Sequence, residues 1–204
     1  SILVVDDPED RAELAEMVGG QPWVRNAPLS MIFCLDFHRV KRWASMFNVS
    51  FLGERCLGSF LIAYADLMCA AQTVVVLAED RGLGSVYVGT IQSSIKRARD
   101  YFGMPEGVLP LMVLSTGYPR TVPRTIPKLD TDAIVHRGRY RVASDDEIRQ
   151  AFEAKYGSIE DDIDSYLERA YIEVVEADRQ LGGDRTGGPE GAAGLGGSLS
   201  ARAK

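Results

Sequence analysis

The chain has little of what several kinds of chemistry require. It contains three cysteines, Cys34, Cys56 and Cys69, and none lies in a Cys-x-x-Cys pair. That number is odd and too small for a disulfide framework, and it points to a reducing compartment, read as the cytoplasm. With only His38 and His136 as histidines, no metal cluster is expected, and each reads as structural or exposed. Neither a Gly-x-Ser-x-Gly elbow nor a His-Glu-x-x-His pair occurs. No run of about 18 uncharged apolar residues is present, which argues against a membrane partner. Basic excess is missing too: 29 acidic against 23 basic residues give a net charge of −6. Nucleic acid is therefore not an expected partner, because phosphate binding needs a basic face.

What is present fits a globular α/β or α+β domain, with 46% hydrophobic and 25% charged residues among 204. Ile2–Val5 reads as a buried strand, followed by a helix that starts near Pro8 under an Asp6 or Asp7 cap and stops at Gly19-Gly20. Ser30–Leu35 reads as a second strand. A long helix of low charge is expected from about Phe60 to Asp80, ended by Gly82-Leu83-Gly84, with a strand over Ser85–Val88. A basic amphipathic helix over Gln92–Phe102 and a strand over Leu109–Thr116 follow. Ala133–Val135 suggests a short strand, and 144–157 and 159–180 suggest charged helices capped by Ser144 and Ser158. Residues 1–180 read as one domain. Residues 181–204 hold eight glycines and Pro189, a composition that reads as a disordered tail.

Some motifs mislead. Ile2-Leu3-Val4-Val5-Asp6-Asp7 matches the first strand of a receiver domain, but no Asp ends a third strand at the right spacing and no Lys-Pro occurs. Gly82-x-Gly84 follows a helix and precedes a strand, the reverse of a dinucleotide fingerprint. Arg39, Lys41 and Arg42 read as a solvated surface stretch.

Three segments are informative together. The first is Gln21-Pro22-Trp23-Val24-Arg25-Asn26-Ala27-Pro28, running into Met31-Ile32-Phe33-Cys34-Leu35-Asp36. The second is Asp66-x4-Ala71-Gln72-x5-Ala78-Glu79-Asp80-Arg81-Gly82-Leu83-Gly84-Ser85-Val86-Tyr87-Val88-Gly89. The third is Leu109-Pro110-x6-Gly117-Tyr118-Pro119, then Pro127-Lys128-Leu129 and Val135-His136. In order, spacing and content they resemble the nitroreductase family of FMN-dependent NAD(P)H oxidoreductases, in its larger, NADPH-preferring nitro/flavin reductase branch.

The resemblance implies an α+β fold, a mixed sheet flanked by helices, with a long central helix at the interface of a homodimer. It implies FMN as cofactor, NAD(P)H as donor, and ping-pong hydride transfer to small-molecule acceptors: nitroaromatics, quinones or flavin. The flavin does the chemistry, so no catalytic side chain is named. Val88, Gly89 and Thr90 would lie along the isoalloxazine, Gly89 because close backbone approach leaves no room for a Cβ. A turn glycine after a strand is the other reading of Gly89. The family's phosphate-binding basic pair falls on Ile126-Pro127-Lys128-Leu129-Asp130, leaving Lys128, with Arg124 as a possible compensating charge. The family's opening Arg-rich helix and Ser/Asn/Gln segment have no counterpart before Ser1. Roughly forty to fifty residues would then be lacking, judged from ordinary helix and loop lengths. An N-terminally incomplete fragment that binds FMN poorly is the expectation. A relative that has lost tight FMN binding and serves as a non-catalytic dimer is the alternative.

Overall fold

The structure, a computed structural model, describes residues 1–121 and 127–156. Arg124, Ile126, Ser158, the helix expected over 159–180 and the Gly-rich 181–204 lie outside the described residues.

Among the described residues the apolar runs form four strands: β1 (Ile2–Val5), β2 (Leu29–Asp36), β3 (Gly84–Val88) and β4 (Val108–Gly117). They assemble in the order β1-β2-β4-β3, and every pairing is antiparallel, where the resemblance implied a mixed sheet. Side chains alternate across a strand. Along β2, Met31, Phe33 and Leu35 face one core while Ile32 and Cys34 face the other. A strand covered on both faces must be apolar throughout, which is why β2 reads as an unbroken hydrophobic run. A bulge between Phe33 and Cys34 shifts the β2–β4 register beside Pro110. Proline is tolerated there because β3 pairs only as far as Val113, leaving Pro110 without a neighbour on that side.

One face carries α1 (Pro8–Met17), α2 (Pro22–Asn26) and α5 (Ile95–Tyr101). Asp7 caps α1, accepting from the amides of Glu9 (2.8 Å) and Asp10 (3.2 Å), with Pro8 in the first turn. Leu14, Ala15, Met17 and Val18 are buried against Val5, Ile32, Val88 and Val113. The opposite face carries α4 (Leu57–Asp80), which begins three residues earlier than expected and seats Leu67, Ala71 and Val75 on Met31, Phe33, Leu111 and Leu114. Gly82, at φ +71°, closes α4 as the sequence suggests. Its length and apolarity would suffice to cross a membrane, with Asp66 as its one internal charge. Packing on the sheet accounts for only one of its sides. Leu61, Ile62, Val76 and Leu77 remain at least half exposed.

Two more expectations are corrected. The helix over Gln92–Phe102 is split into a 3-10 turn, Gly89–Ser94, and α5. Polar side chains in the turn bond to α1 and β4 rather than leaving the backbone to a regular α-helix. Ala133–Val135 is not a strand: Thr131–Ile134 form a short helix, α6, because Asp130 accepts from the Asp132 amide at 2.9 Å, and no strand among the described residues pairs with this segment. The Arg39-Lys41-Arg42 stretch is exposed as expected, yet helical, in α3 (Phe37–Met46), capped by Asp36 through the Arg39 amide at 3.0 Å. The helix expected from 144 is α7 (Asp145–Tyr156), with Ser144 and Glu147 bonded reciprocally at its start.

Between β2 and β4 the hydroxyls of Ser30 and Ser115 meet at 2.7 Å, both residues buried. Removing one hydroxyl strands the other in an apolar setting, whereas removing both does not. Ser115→Ala is expected to lower the unfolding free energy by about 1–3 kcal/mol. The double variant Ser30→Ala/Ser115→Ala should lose less than the sum of the two single variants, a coupling that denaturant titration measures directly.

Candidate functional site

β3 delivers the segment singled out by the sequence. Val88 is buried and pairs with Val113, and Gly89 follows it at the surface as the first residue of the 3-10 turn. Gly89 does not have the positive φ that usually selects glycine. A Cβ built on it would meet only the Met112 Cε atom, at 3.9 Å, an ordinary contact. Neither backbone conformation nor crowding by its own chain requires glycine here.

The turn after Gly89 is tied down by its side chains. Helices end with carbonyls that lack an intrahelical donor. At the end of α1 these are filled from the turn: Ser94 Oγ donates to the Met17 carbonyl at 2.8 Å and Thr90 Oγ1 to the Val18 carbonyl at 3.1 Å. Gln21 Nε2 donates to the same Val18 carbonyl at 3.0 Å and to Thr90 Oγ1 at 3.3 Å. The Trp23 indole N–H in turn donates to Gln21 Oε1 at 2.6 Å. From the other side of the turn, Gln92 Nε2 donates to the Leu111 carbonyl in β4 at 3.0 Å. Gln21, Gln92 and Ser94 carry no local signal of this role, since their partners lie up to 77 residues away. Only Gln21 stood out beforehand, as part of Gln21-Pro22-Trp23.

The phosphate-side candidates are not joined to this segment. Lys128 is exposed in the stretch before α6 and has no ion-pair partner among the described residues. Arg124 is outside the described residues. A cavity of about 670 Å³ lies between Leu129 and α7, and another of about 460 Å³ at the Gly84 end of β3. Neither is lined by Val88, Gly89, Thr90 or Lys128.

The histidines serve local structure. His38 Nδ1 lies 3.2 Å from the Glu106 carbonyl, and His136 Nδ1 accepts from the Arg141 amide at 3.3 Å. All three cysteines are free. Burial pushes the Cys34 thiol up to about 11, which makes it inert at neutral pH. Cys56, exposed at the start of α4, is held below the ordinary thiol range by the nearby Ser59 and Gly58 amides and the Ser59 hydroxyl, although none completes a capping bond.

The nitroreductase family model matches residues 1–118. An FMN reductase (NADPH) from Bacillus subtilis is 33% identical over 148 residues, which are 72% of this chain and 59% of that protein. An oxygen-insensitive NADPH nitroreductase from Salmonella typhimurium is 31% identical over 144 residues, 69% of this chain and 57% of that protein. The chain thus spans less than two thirds of the length of these relatives. Among solved structures, a nitroreductase from B. subtilis superposes with a TM-score of 0.72 at 26% identity, covering 86% of this chain and 76% of that one. An NADPH:FMN oxidoreductase from Vibrio harveyi, complexed with NAD+, gives 0.71 at 28% identity, covering 89% and 79%.

Two outcomes follow from the geometry. Gly89→Ala should leave unfolding free energy within about 0.5 kcal/mol of the parent chain, as for a surface change that meets no crowding; a larger loss in denaturant titration would show that the fold itself needs the glycine. In alkylation at pH 7.5 followed by peptide mass spectrometry, Cys56 should label in the native protein and Cys34 only after unfolding.

Proposed function

The chain belongs to the nitroreductase family, and from that premise we propose that the whole protein is an FMN-dependent NAD(P)H oxidoreductase. When bound, FMN supplies the hydride-accepting and hydride-donating chemistry, in ping-pong use of one site by the nicotinamide donor and by nitroaromatic, quinone or flavin acceptors. The observation that carries this reading is Gly89: an exposed glycine at a strand end, unexplained by φ or by neighbours, on a backbone fixed by four side chains. Close passage of a flat ring supplies the missing reason for glycine. Val88, Gly89 and Thr90 would hold the ring edge, and Lys128, with Arg124, the phosphate end. Lys128 contributes a compact charge rather than the bidentate fork of arginine.

A homodimer is part of the same reading. The outward residues of α4, Leu61, Ile62, Val76 and Leu77, are a large exposed apolar surface that a second copy would cover. The free cysteines agree with a reducing, cytoplasmic setting.

One observation favours a second reading, a non-catalytic dimer without tight FMN binding: where the resemblance sets a basic pair for the phosphate, the register leaves Ile126 and a single basic residue, Lys128. The two readings separate by colour. Protein expressed from its complete coding sequence should purify yellow and bleach with NADPH. In FMN titration, Gly89→Ala should weaken binding about tenfold or more, as expected where an added methyl meets a packed ring. A colourless protein that remains so after incubation with FMN would overturn the enzyme reading in favour of the second.

A further inference from the structure

We propose that residues 159–180 seat in the cavity between α6 and α7, returning antiparallel along α7 as the second half of a helical hairpin. The cavity, about 670 Å³, is walled in part by Leu129, Ala133, Ile148, Ala151 and Phe152. Ile148, Ala151 and Phe152 fall on one side of α7 at helical spacing. Ile148 is nevertheless exposed, and Ala151 and Phe152 are only half-buried. With four residues, α6 is too short to cover a helix of 12. An apolar side of this kind calls for another apolar surface.

The adjoining chain carries the matching pattern. Ile159, Ile163, Tyr166, Ala170, Val174 and Ala177 recur at intervals of three and four, which on a helix is one apolar stripe. The segment's eight acidic residues, against two basic ones, lie off that stripe. Only Gly157 and Ser158 separate Tyr156 from Ile159, and a connection of about two residues suffices between antiparallel helices. Ser158 is suited to cap the second of them. Because the segment is joined to α7, it meets the cavity at a higher effective concentration than a separate molecule does.

Charge and length agree on the direction. The 12 residues of α7 run about 18 Å, whereas residues 159–180 as a helix run about 33 Å. The returning segment therefore covers α7 with its first half and passes its start with the second, which holds Glu173, Glu176 and Asp178. Just before α7 the chain makes a tight turn. The Arg139 amide donates to the Arg137 carbonyl at 2.9 Å, with Gly138 between them at φ +75°. The His136 and Tyr140 rings, 4.2 Å apart, close its base. Arg141 is engaged by Glu147 at 2.8 Å. Arg137 and Arg139, at the tip, are exposed and enter no ion pair among the described residues. They present positive charge beyond the start of α7, where the acidic half of the segment arrives. The hairpin does not depend on the flavin reading.

Hydrogen exchange in protein expressed from its complete coding sequence tests it. Residues 159–180 should exchange at least about tenfold more slowly than an unstructured chain of the same sequence. Phe152→Asp, which sets a charge on the cavity wall, should remove that protection and leave β2 and β4 unchanged. Arg137→Glu/Arg139→Glu should speed exchange at 171–180 about two- to fivefold, the range for exposed ion pairs, and added Glu173→Arg/Glu176→Arg should restore it. The arginine variant alone decides if Phe152→Asp disturbs β2 or β4. In a mixture of isotope-labelled and unlabelled protein, the disulfide of an Ile148→Cys/Tyr166→Cys variant should join peptides of one chain. The hairpin is overturned if 159–180 exchanges as an unstructured chain, or if either variant with an intact sheet leaves exchange unchanged. A disulfide that joins different chains also overturns it, and makes a second copy the occupant.

Discussion

The pairing of β2 with β4 is the constraint from which the rest of the chain takes its place. Both strands are buried on both faces, so each face needs a helical cover, and the chain supplies α1, α2 and α5 on one side and α4 on the other. β3 joins the free edge of β4, and that pairing carries Val88 and Gly89 to the end of the sheet. The 3-10 turn is held between α1 and β4 because those two elements are already fixed by the central pair. Hydrophobic burial thus sets the frame, and a few hydrogen bonds of modest individual worth set the details at its edge.

The frame was largely legible because its signals are local. Apolar runs closed by Asp6-Asp7-Pro8, Gly82-Leu83-Gly84 and Gly117-Tyr118-Pro119 mark the strands, and Asp7 before Pro8 marks a helix start. α3 was missed although Phe37, Val40, Ala44 and Phe47 follow helical spacing, because Arg39, Lys41 and Arg42 between them were read only as a solvated charged stretch. The α6 segment failed for the opposite reason: Ile134 and Val135 favour a strand, but the Asp130 side chain offers the backbone a local alternative. The candidate ring-edge residues were found through resemblance, since a glycine next to a valine carries no distinctive pattern. The hydrogen bonds around them could not be found that way. Val18 and Thr90 are 72 positions apart, and nothing short of the fold brings them together.

α4 shows how one helix can satisfy two unlike demands. Leu67, Ala71, Val75 and Ala78 follow helical spacing and meet the sheet. Its other sides are nearly as apolar, so its amphipathic contrast is weak and its sequence reads as buried all round. Asp66 sits inside that apolar length and marks the side turned from the sheet as the one where a charge is tolerated. A helix of this type gains little from its own monomer on its outer side, which makes the outer residues free to be selected by whatever covers them.

The Ser30–Ser115 contact has a consequence for how the central pair finds its alignment. Apolar side chains are forgiving partners, and β2 against β4 could slide by two residues with leucine, isoleucine and valine still facing both cores. The two hydroxyls are not forgiving. Displaced from each other, each would sit in an apolar layer without a donor or acceptor, so every slipped alignment bears two stranded polar groups that the native one does not. One small polar pair in an oily interface therefore acts as an index mark, separating the correct alignment from its neighbours by a penalty that hydrophobic packing alone would not provide.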